Sequence, residues 1–323
     1  MNKKINILIL GCGQIGFRHF QSVLEFNQIN EIVIVDLLKK RKEKFFDYYD
    51  KHKRKKKIKI HFHQKLKDCL SHIDLAIIST SSMQRGEMID ELYKYKRPKY
   101  LILEKFLFTK FSDYSKFEKF FKKTNTLVWV NQWMSGEFFF LKNFINKKKR
   151  VTLSVYGDNW GLCCNSVHFI DLFLSIINND KISRLKNNLN KNIYKSKRDG
   201  YYEIFGSLKF QSQKGHELNI LCNKKKKKEI KIYFQIKNDQ NIFNCEIRNN
   251  ELIILNDKNQ RKIHKIKYQS ERTHLIIKEI VKHKKCLLPT FKESILHHKL
   301  VFRPFFQIFS KKNIDFKKGI PIT

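Results

Sequence analysis

Short apolar runs alternate with amphipathic stretches over the first 134 residues of the chain. Uninterrupted runs of this kind are typical of strands that are buried on both faces of a sheet. They predict strands at Ile5 to Leu10, Glu31 to Val35, Lys59 to Phe62, Leu75 to Ser79, Tyr100 to Leu103 and Leu127 to Val130. Helical spacing between them predicts helices at about 14–27, 38–50, 65–71, 84–94 and 112–123. Because strands separated by helices form βαβ units, we expect a parallel sheet covered on both faces.

The pattern changes after the basic stretch at 147–150. Successive strands with short polar turns are predicted at Val151 to Tyr156, Gly206 to Gln211, Leu218 to Cys222, Ile230 to Ile236, Asn244 to Arg248 and Leu252 to Leu255. Helices are predicted at about 165–177, 271–283 and 292–309. We therefore predict an α/β protein of two domains, 1–134 and 135–323, of which the second is α+β with a largely antiparallel open sheet.

Three glycines follow the first predicted strand in the stretch NILILGCGQIGFRHF, at Gly11, Gly13 and Gly16. In a strand–turn–helix unit the first glycine permits the tight turn, the second lets the backbone approach a pyrophosphate, and the third lets helix and strand pack closely. The free amides and the dipole at the start of the helix then favour the anion. Asp36 ends the second predicted strand, 20 residues beyond Gly16, where a carboxylate accepts hydrogen bonds from the adenosine ribose hydroxyls.

This arrangement predicts a doubly wound Rossmann domain over residues 1–134 that binds a nicotinamide dinucleotide. The predicted cofactor contacts in the turn and after the second strand are Gly11, Gly13, Gln14, Ile15, Gly16 and Asp36. Leu37 and Leu38 follow the carboxylate and no arginine is directly placed for a 2′-phosphate, so NAD is favoured over NADP. The alternative is a glycine turn in a doubly wound domain that binds no dinucleotide.

The chain of 323 residues carries a formal net charge of +37, with basic clusters at 39–44, 51–59 and 223–231. A field of this sign attracts nucleic acid, anionic lipid or phosphorylated substrates. However, lysine far outnumbers arginine, which is the residue favoured for bidentate phosphate contacts, and the clusters fall where loops are expected. Residues with A/T-rich codons are also abundant. We therefore favour solvated loops and a drifted coding composition over a nucleic-acid partner.

The seven cysteines are odd in number, scattered and never in a CxxC pair. This usage is typical of a reducing cytoplasm, without structural disulfides or a zinc cluster, and we predict no metal site. No apolar stretch approaches the roughly 20 residues that span a bilayer. We expect a globular cytoplasmic protein with neither signal peptide nor membrane insertion.

Several motifs, in order along the chain, resemble the glucose-fructose oxidoreductase, inositol dehydrogenase and rhizopine catabolism (Gfo/Idh/MocA) family. The first is GCGQIGFRHFQSV, in which His19 stands three residues after the last glycine. DLAIISTSS at 74–82 resembles the loop beside the nicotinamide, and LILEKFLF at 101–108 the Glu-Lys-Pro segment. VNQW at 130–133 resembles the following strand.

The second half continues the resemblance, which covers essentially the whole chain. NWGLCCNSVHFIDLF at 159–173 is similar to the helix that carries the family's catalytic histidine. CLLPTFKES at 286–294 resembles a segment near the C-terminus of relatives linked with surface polysaccharide synthesis. The resemblance implies an NAD(P)-dependent oxidoreductase acting on a CH–OH group of a sugar, sugar nucleotide or cyclitol. It also implies a substrate domain whose open sheet forms the interface of a dimer or tetramer.

The resemblance implies roles for particular residues. Thr80, Glu104 and Lys105 would contact the cofactor, with Lys105 between the nicotinamide ribose and the substrate, and His168 would handle the hydroxyl proton. The pKa of histidine is near 6.5, whereas the pKa of lysine must fall by over 3 units before lysine can act as a base near pH 7. We therefore expect His168 to be the base and Lys105 an orienting donor that shares in the proton transfer. The remaining predicted substrate contacts are Trp160, Asn165 and Asp171.

Two positions depart from the family pattern. Cys164 stands where relatives often carry an aspartate one turn before the histidine, and a thiol orients a histidine poorly. Asp171, three residues after His168, lies on the same helix face and is expected to take over that role. Phe106 replaces the proline of Glu-Lys-Pro, which removes a φ constraint after Lys105. These departures favour the alternative function, a non-catalytic NAD(H)-binding regulator or scaffold of the same fold.

Overall fold

The computed structural model describes residues 4–52, 58–146, 148–226, 230–312 and 319–323. The chain divides into two compact units, and neither is a continuous segment. The first contains residues 1–131 and 268–292, and the second contains residues 132–267 and 293–323. In the described part of the chain, no helix combines the length and the hydropathy needed to cross a membrane.

The elements are numbered in chain order. The strands are β1 (Ile5–Leu10), β2 (Ile29–Val35), β3 (Lys59–His63), β4 (Leu75–Ile78), β5 (Tyr100–Leu103), β6 (Leu127–Val130), β7 (Val151–Asp158), β8 (Ile182–Leu189), β9 (Tyr194–Lys195), β10 (Tyr202–Glu203), β11 (Gly206–Ser212), β12 (Glu217–Asn223), β13 (Lys231–Asn238), β14 (Asn241–Arg248), β15 (Glu251–Asn256) and β16 (Arg261–Lys265). The helices are α1 (Gln14–Val23), α2 (Arg41–Lys51), α3 (Arg85–Tyr95), α4 (Phe111–Thr124), α5 (Met134–Glu137), α6 (Leu162–Ile176), α7 (Gln269–His283) and α8 (Phe291–Phe309).

The first unit is built on a six-stranded sheet of order β3-β2-β1-β4-β5-β6, in which every pair of neighbours is parallel. This order reverses between β1 and β4, as it does in a Rossmann fold. The strands that lie inside the sheet are buried at every residue except Asn6 of β1 and Asn30 of β2, which explains why they read as nearly continuous apolar runs. The predicted doubly wound domain is therefore confirmed.

A helix from far along the chain completes the core of this unit. Its Ile276, Ile277 and Ile280, all on α7, pack in one apolar cluster with Phe20 of α1 and with the strands. The segment after α7 also joins the sheet, because the amide of Val130 donates to the carbonyl of Pro289 (3.1 Å). The predicted division at residue 134 assigns this whole segment to the second domain, whereas the structure gives residues 268–292 to the first unit.

The second unit contains an eight-stranded sheet of order β16-β15-β14-β13-β7-β12-β11-β8. Its pairs are antiparallel except for β7 with β12, which are parallel. Alternate residues of β7 are buried, so one face of this strand is covered and the other is more open. Phe169 of α6 packs on the covered face, with its ring 6.1 Å from that of Phe234 in β13. The predicted α+β unit with a largely antiparallel sheet is also confirmed.

Two details of the prediction are wrong. The helix expected at 65–71 is only a 3₁₀ turn, Leu66–Asp68, and Leu66 is its one buried residue. β8 and β16 were not predicted, because their sequences ISRLKNNL and RKIHK are mostly exposed and carry little apolar signal.

Candidate cofactor and active site

The predicted cofactor residues lie where strands of the parallel sheet end. Gly11 follows β1, Asp36 follows β2, Thr80 follows β4 by two residues and Glu104 follows β5. Ligands of open α/β sheets bind outside the carboxyl ends of the strands, at the point where the strand order reverses. The structure therefore places these four residues at the edge where a dinucleotide would bind.

The three glycines of the first turn differ in what surrounds them. Gly11 has a φ of +93°, and a Cβ there would lie 2.8 Å from Cγ2 of Thr80. A Cβ on Gly16 would lie 2.0 Å from the carbonyl oxygen of Gly11. A Cβ on Gly13 would meet no atom within 4 Å, and its φ of −66° suits any residue. Gly11 and Gly16 are thus required by the fold, whereas Gly13 leaves open space over the start of α1.

That open space faces a helix end which can hold an anion. α1 begins at Gln14 after Gly13, without a side-chain cap and without an acidic residue in its first turn. Gln14 and Ile15 are both exposed. Uncapped amides and the positive end of the helix dipole attract a phosphate group. A pyrophosphate would fill the space that Gly13 leaves open.

The carboxylate of Asp36 is held by two backbone amides. Its Oδ2 accepts from the amide of Cys12 (2.6 Å) and its Oδ1 from the amide of Leu38 (2.8 Å). Nη1 of Arg41, the first residue of α2, also lies 2.6 Å from Oδ2. No arginine directly follows the carboxylate in sequence, but the first turn of α2 brings Arg41 back to the end of β2.

Thr80 has a polar atom that lacks a protein partner. Its hydroxyl oxygen is buried and forms no hydrogen bond within the described part of the chain. The hydroxyl of the preceding residue, Ser79, donates to the carbonyl of Gly11 (2.6 Å) and so fixes this loop beside the glycine turn. An orphaned hydroxyl at this edge fits a bound group that supplies the missing hydrogen bond.

Glu104 lies in a buried hydrogen-bond network. Its Oε1 is 2.9 Å from Nε2 of His19 and also accepts from the side-chain amide of Asn131. Burial raises the pKa of Glu104, but the hydrogen bond and charge of His19 and the Asn131 amide outweigh it, so the pKa lies below its ordinary value. Glu104 is thus buried rather than at the surface, and Lys105 beside it is half-buried.

The network continues into α7. Nδ1 of His19 lies 2.9 Å from the hydroxyl of Thr273, and Oε1 of Gln269 accepts from the Asn131 amide (2.9 Å). The sequence gives no local signal for these partners, since about 250 residues separate them from His19. The sequence places His19 only within a motif, whereas its hydrogen bond to Glu104 connects α1 with the end of β5.

His168 lies in the middle of α6 and is buried. Its ring centroid lies 5.5 Å from that of Trp133. α6 begins after Gly161, whose φ is +79°, and Oε2 of Glu203 accepts from the amide of Cys163 (2.9 Å) at its first turn. A carboxylate at this end complements the helix dipole and fixes the start of the helix that carries His168.

The carboxylate of Asp171 contacts two other helices of the second unit. Its Oδ2 accepts from the amide of Ser135 (3.1 Å) in α5, and its Oδ1 lies 3.8 Å from Nδ1 of His297 in α8. Burial raises the pKa of Asp171 to about 7 and lowers that of His297 to about 3. The role expected of Asp171 in orienting His168 stays a prediction.

Trp160 and Asn165 are engaged within the protein. The indole N–H of Trp160 donates to the carbonyl of Leu221 (3.1 Å), and its ring packs on Phe169 at 5.6 Å. The side-chain amide of Asn165 donates to the carbonyl of Trp160 (2.6 Å). Trp160 is almost fully buried, so these contacts favour packing over a wall of a substrate pocket.

The remaining predictions concern cysteines, metals and basic clusters. All seven cysteines are free thiols. Within the described ranges, no three His, Cys, Asp or Glu side chains form a group suited to a metal ion. The central residues of the clusters at 51–59 and 223–231, which are residues 53–57 and 227–229, lie outside the described residues.

Comparison with known proteins agrees with this geometry. Residues 5–132 match the model of an oxidoreductase family described as an NAD-binding Rossmann fold, GFO_IDH_MocA. No curated protein matches the sequence.

Solved structures share the fold over nearly the full length. The WlbA dehydrogenase from Chromobacterium violaceum, in complex with NADH and UDP-GlcNAcA, is 13% identical at a TM-score of 0.69, covering 97% of this chain and 96% of that one. UDP-N-acetylglucosamine 3-dehydrogenase from Acidithiobacillus ferrooxidans is 11% identical at 0.68, covering 94% and 96%. Biliverdin reductase from Synechocystis, in complex with biliverdin and NADP+, is 11% identical at 0.69, covering 94% and 98%. At these identities the likeness shows the fold alone.

Proposed function

Since residues 5–132 match the model of the Gfo/Idh/MocA oxidoreductase family, described as an NAD-binding Rossmann fold, we propose that the chain is a member of this family and an NAD-dependent dehydrogenase or reductase. It transfers hydride between the nicotinamide and a carbinol or carbonyl carbon of a sugar, sugar nucleotide or cyclitol. The observation that carries the proposal is the glycine turn, in which Gly11 and Gly16 are closed by protein atoms and Gly13 is open. An open glycine at an uncapped helix start is what a pyrophosphate needs.

The residues at the sheet edge suit the rest of a dinucleotide. Asp36 offers carboxylate oxygens for the adenosine ribose hydroxyls, and the unpartnered hydroxyl of Thr80 offers a hydrogen bond at the nicotinamide end. We favour NAD over NADP because Asp36 repels a 2′-phosphate. The guanidinium of Arg41 opposes that preference, since it lies against the same carboxylate. Neighbouring structures hold NADH in one case and NADP+ in another.

When bound, the nicotinamide supplies the hydride acceptor or donor. His168 is the proposed base, because an ordinary imidazole accepts a proton near pH 7 without a large pKa shift. Lys105 is the proposed orienting donor, since three ammonium protons can bond a substrate hydroxyl and a ribose oxygen. Cys164 stands where relatives often carry a carboxylate one turn before His168, and Asp171, three residues after His168, is the proposed orienting carboxylate.

The substrate class follows from the neighbours rather than from this chain's own pocket. Two of the structures that share the fold are named as dehydrogenases with UDP-sugar substrates or ligands. Their likeness supports a sugar nucleotide, in keeping with a role in surface polysaccharide synthesis. We further propose a cytoplasmic homo-oligomer without a nucleic-acid partner.

The alternative function is a non-catalytic NAD(H)-binding regulator or scaffold. The observations that favour it are Cys164 and Phe106, the two positions that depart from the family pattern. Both functions need the cofactor, so they differ only in turnover.

Turnover separates the two functions. The full chain is incubated with NAD and a panel of sugars, cyclitols and UDP-sugars, and NADH is followed by absorbance. We expect turnover with one class, and a loss of about 10²-fold or more in kcat for His168→Ala. The Kd of His168→Ala for NADH should stay within about twofold of that of the native chain, because His168 belongs to the second unit and the glycine turn to the first. Tight NADH binding with no turnover on any member of the panel would favour the scaffold.

A further inference from the structure

We propose that Arg85 is a positioning residue that holds the loop after β4 and the loop after β5 in one fixed arrangement. The first loop carries Thr80 and the second carries Lys105. The inference rests on the proposed function only for the roles of those two residues. The contacts themselves stand on the geometry of the first unit.

The guanidinium of Arg85 reaches both loops. Its Nη2 donates to the carbonyl of Thr80 (2.6 Å), and its Nη1 donates to the carbonyls of Phe106 and Leu107, the latter at 3.0 Å. One side chain therefore joins three backbone carbonyls from two loops that follow different strands. The acceptors include the residue directly after Lys105.

Stability alone does not account for an arginine here. Its side chain is 1% exposed, and burying a guanidinium costs free energy unless hydrogen bonds compensate. Arg85 is also the first residue of α3, where the positive end of the helix dipole disfavours a cation. A cation in this position is explained by the three carbonyls that it holds, since the fork of a guanidinium spans acceptors that an ammonium cannot.

Both loops are also fixed at their other ends. The loop after β4 is held against Gly11 by Ser79, and the loop after β5 is held by the hydroxyl of Tyr114, which donates to the carbonyl of Phe108 (2.9 Å). Arg85 is the link between them. Its charge also contributes to the low pKa of Glu104, the residue before Lys105. Removing the guanidinium should therefore displace Lys105 relative to the cofactor loop.

The test uses full-length Arg85→Gln and Arg85→Lys, with Tyr93→Phe as the matched control. Tyr93 lies on the same helix and its hydroxyl donates to Thr126 (2.7 Å), away from both loops. Two quantities are measured: the Kd for NADH by fluorescence, and the pH profile of acetylation of Lys105 by acetic anhydride, read by peptide mass spectrometry. Exposed Lys116 serves as the internal reference. Thermal denaturation gives the stability lost in each variant.

We expect Arg85→Gln to raise the NADH Kd about tenfold, as for one lost charge-assisted hydrogen bond. Acetylation of Lys105 relative to Lys116 should change at least about threefold, because a displaced Lys105 has different neighbours and a different exposure. Tyr93→Phe should leave the Kd for NADH and the relative acetylation of Lys105 within about twofold of the native values, because its hydroxyl contacts neither loop. Should Arg85→Gln fail to fold, Arg85→Lys should show smaller changes in the same direction.

An unchanged Lys105 profile in the folded Arg85 variants would overturn the proposal, as would equal changes in Tyr93→Phe. If the native chain does not bind NADH, the proposed function fails, and the labelling of Lys105 still decides the role of Arg85.

Discussion

The residues at the carboxyl edge of the six-stranded sheet differ in whether the fold alone explains them. Gly11 and Gly16 serve the fold, because a side chain on either would collide with backbone or with Thr80. Gly13 and the hydroxyl of Thr80 have no such explanation within the described protein. Their features are the ones that a bound dinucleotide explains. The binding site is therefore inferred from the open space beside Gly13 and from the Thr80 hydroxyl that lacks a hydrogen-bond partner.

Asp36 and Arg41 should set the choice between NADH and NADPH. We expect Asp36→Asn to raise the Kd for NADH about tenfold, equal to ~1.4 kcal/mol, because the ribose loses a charged acceptor. The Kd for NADPH should fall, since a 2′-phosphate no longer meets a carboxylate. Arg41→Gln should raise the Kd for NADPH more than that for NADH. Isothermal titration calorimetry of both cofactors checks these values.

A native chain that binds NADPH more tightly than NADH would contradict the preference for NAD. Loss of that binding in Arg41→Gln would then assign the specificity to Arg41.

At the scale of elements, α6 carries a buried carboxyl group with an unusual pKa. Burial raises the pKa of Asp171 from 3.8 to about 7. Between these values the folded chain keeps the proton and the unfolded chain loses it, so the free energy of unfolding falls as pH rises. The full difference is about 4 kcal/mol at 1.36 kcal/mol per unit, as an order of magnitude.

Asp171→Asn removes this dependence while keeping an acceptor for the Ser135 amide. We expect the stability gained over the native chain to grow from about pH 4 to about pH 7 and then to level off. Thermal or urea denaturation across that range measures it. Asp180→Asn is the control, because the pKa of Asp180 is lowered and its loss should not stabilise the chain at high pH. A gain for Asp171→Asn that is independent of pH would refute the explanation.

At the scale of the whole molecule, the chain leaves the first unit after residue 131 and returns to it at residue 268. α7 contributes Ile276, Ile277 and Ile280 to the core of that unit. The two ends lie close together, as the hydrogen bond between Asn131 and Gln269 shows. The cofactor unit is therefore built from two separate segments.

A fragment of residues 1–131 should not fold, because burying three isoleucines contributes several kcal/mol and their partners would be exposed. The same fragment joined to residues 268–292 through about six Gly/Ser residues should fold, since such a linker spans the short gap. Circular dichroism and NADH titration compare the two fragments. Cooperative unfolding of the fragment without residues 268–292 would show that α7 is dispensable.

The sequence predicts the first sheet closely, because each strand is a short buried run between helices and punctuating turns. β1, β5 and β6 begin and end at the expected residues. It could not predict that α7 belongs to that unit, since an amphipathic helix does not specify which distant surface it covers. Arg85 gives no signal either, because its partners are backbone carbonyls, which every residue has. The contact of Arg41 with Asp36 depends on the residue at which α2 begins, and the spacing of apolar residues does not define that residue.

A nicotinamide dinucleotide is proposed to lie over the glycine turn, and a calorimetric titration with a Gly13 variant decides whether it does. NADH is titrated calorimetrically into the native chain and into Gly13→Asp, a change that the fold accommodates because a Cβ there meets nothing within 4 Å. The account predicts one binding site in the native chain, and a loss of at least about 100-fold in Gly13→Asp because a carboxylate replaces the phosphate. Gly13→Asp should melt at the same temperature as the native chain or higher, because an aspartate is a favourable N-cap for α1. No heat of binding in a folded native chain, or equal binding by Gly13→Asp, would contradict it.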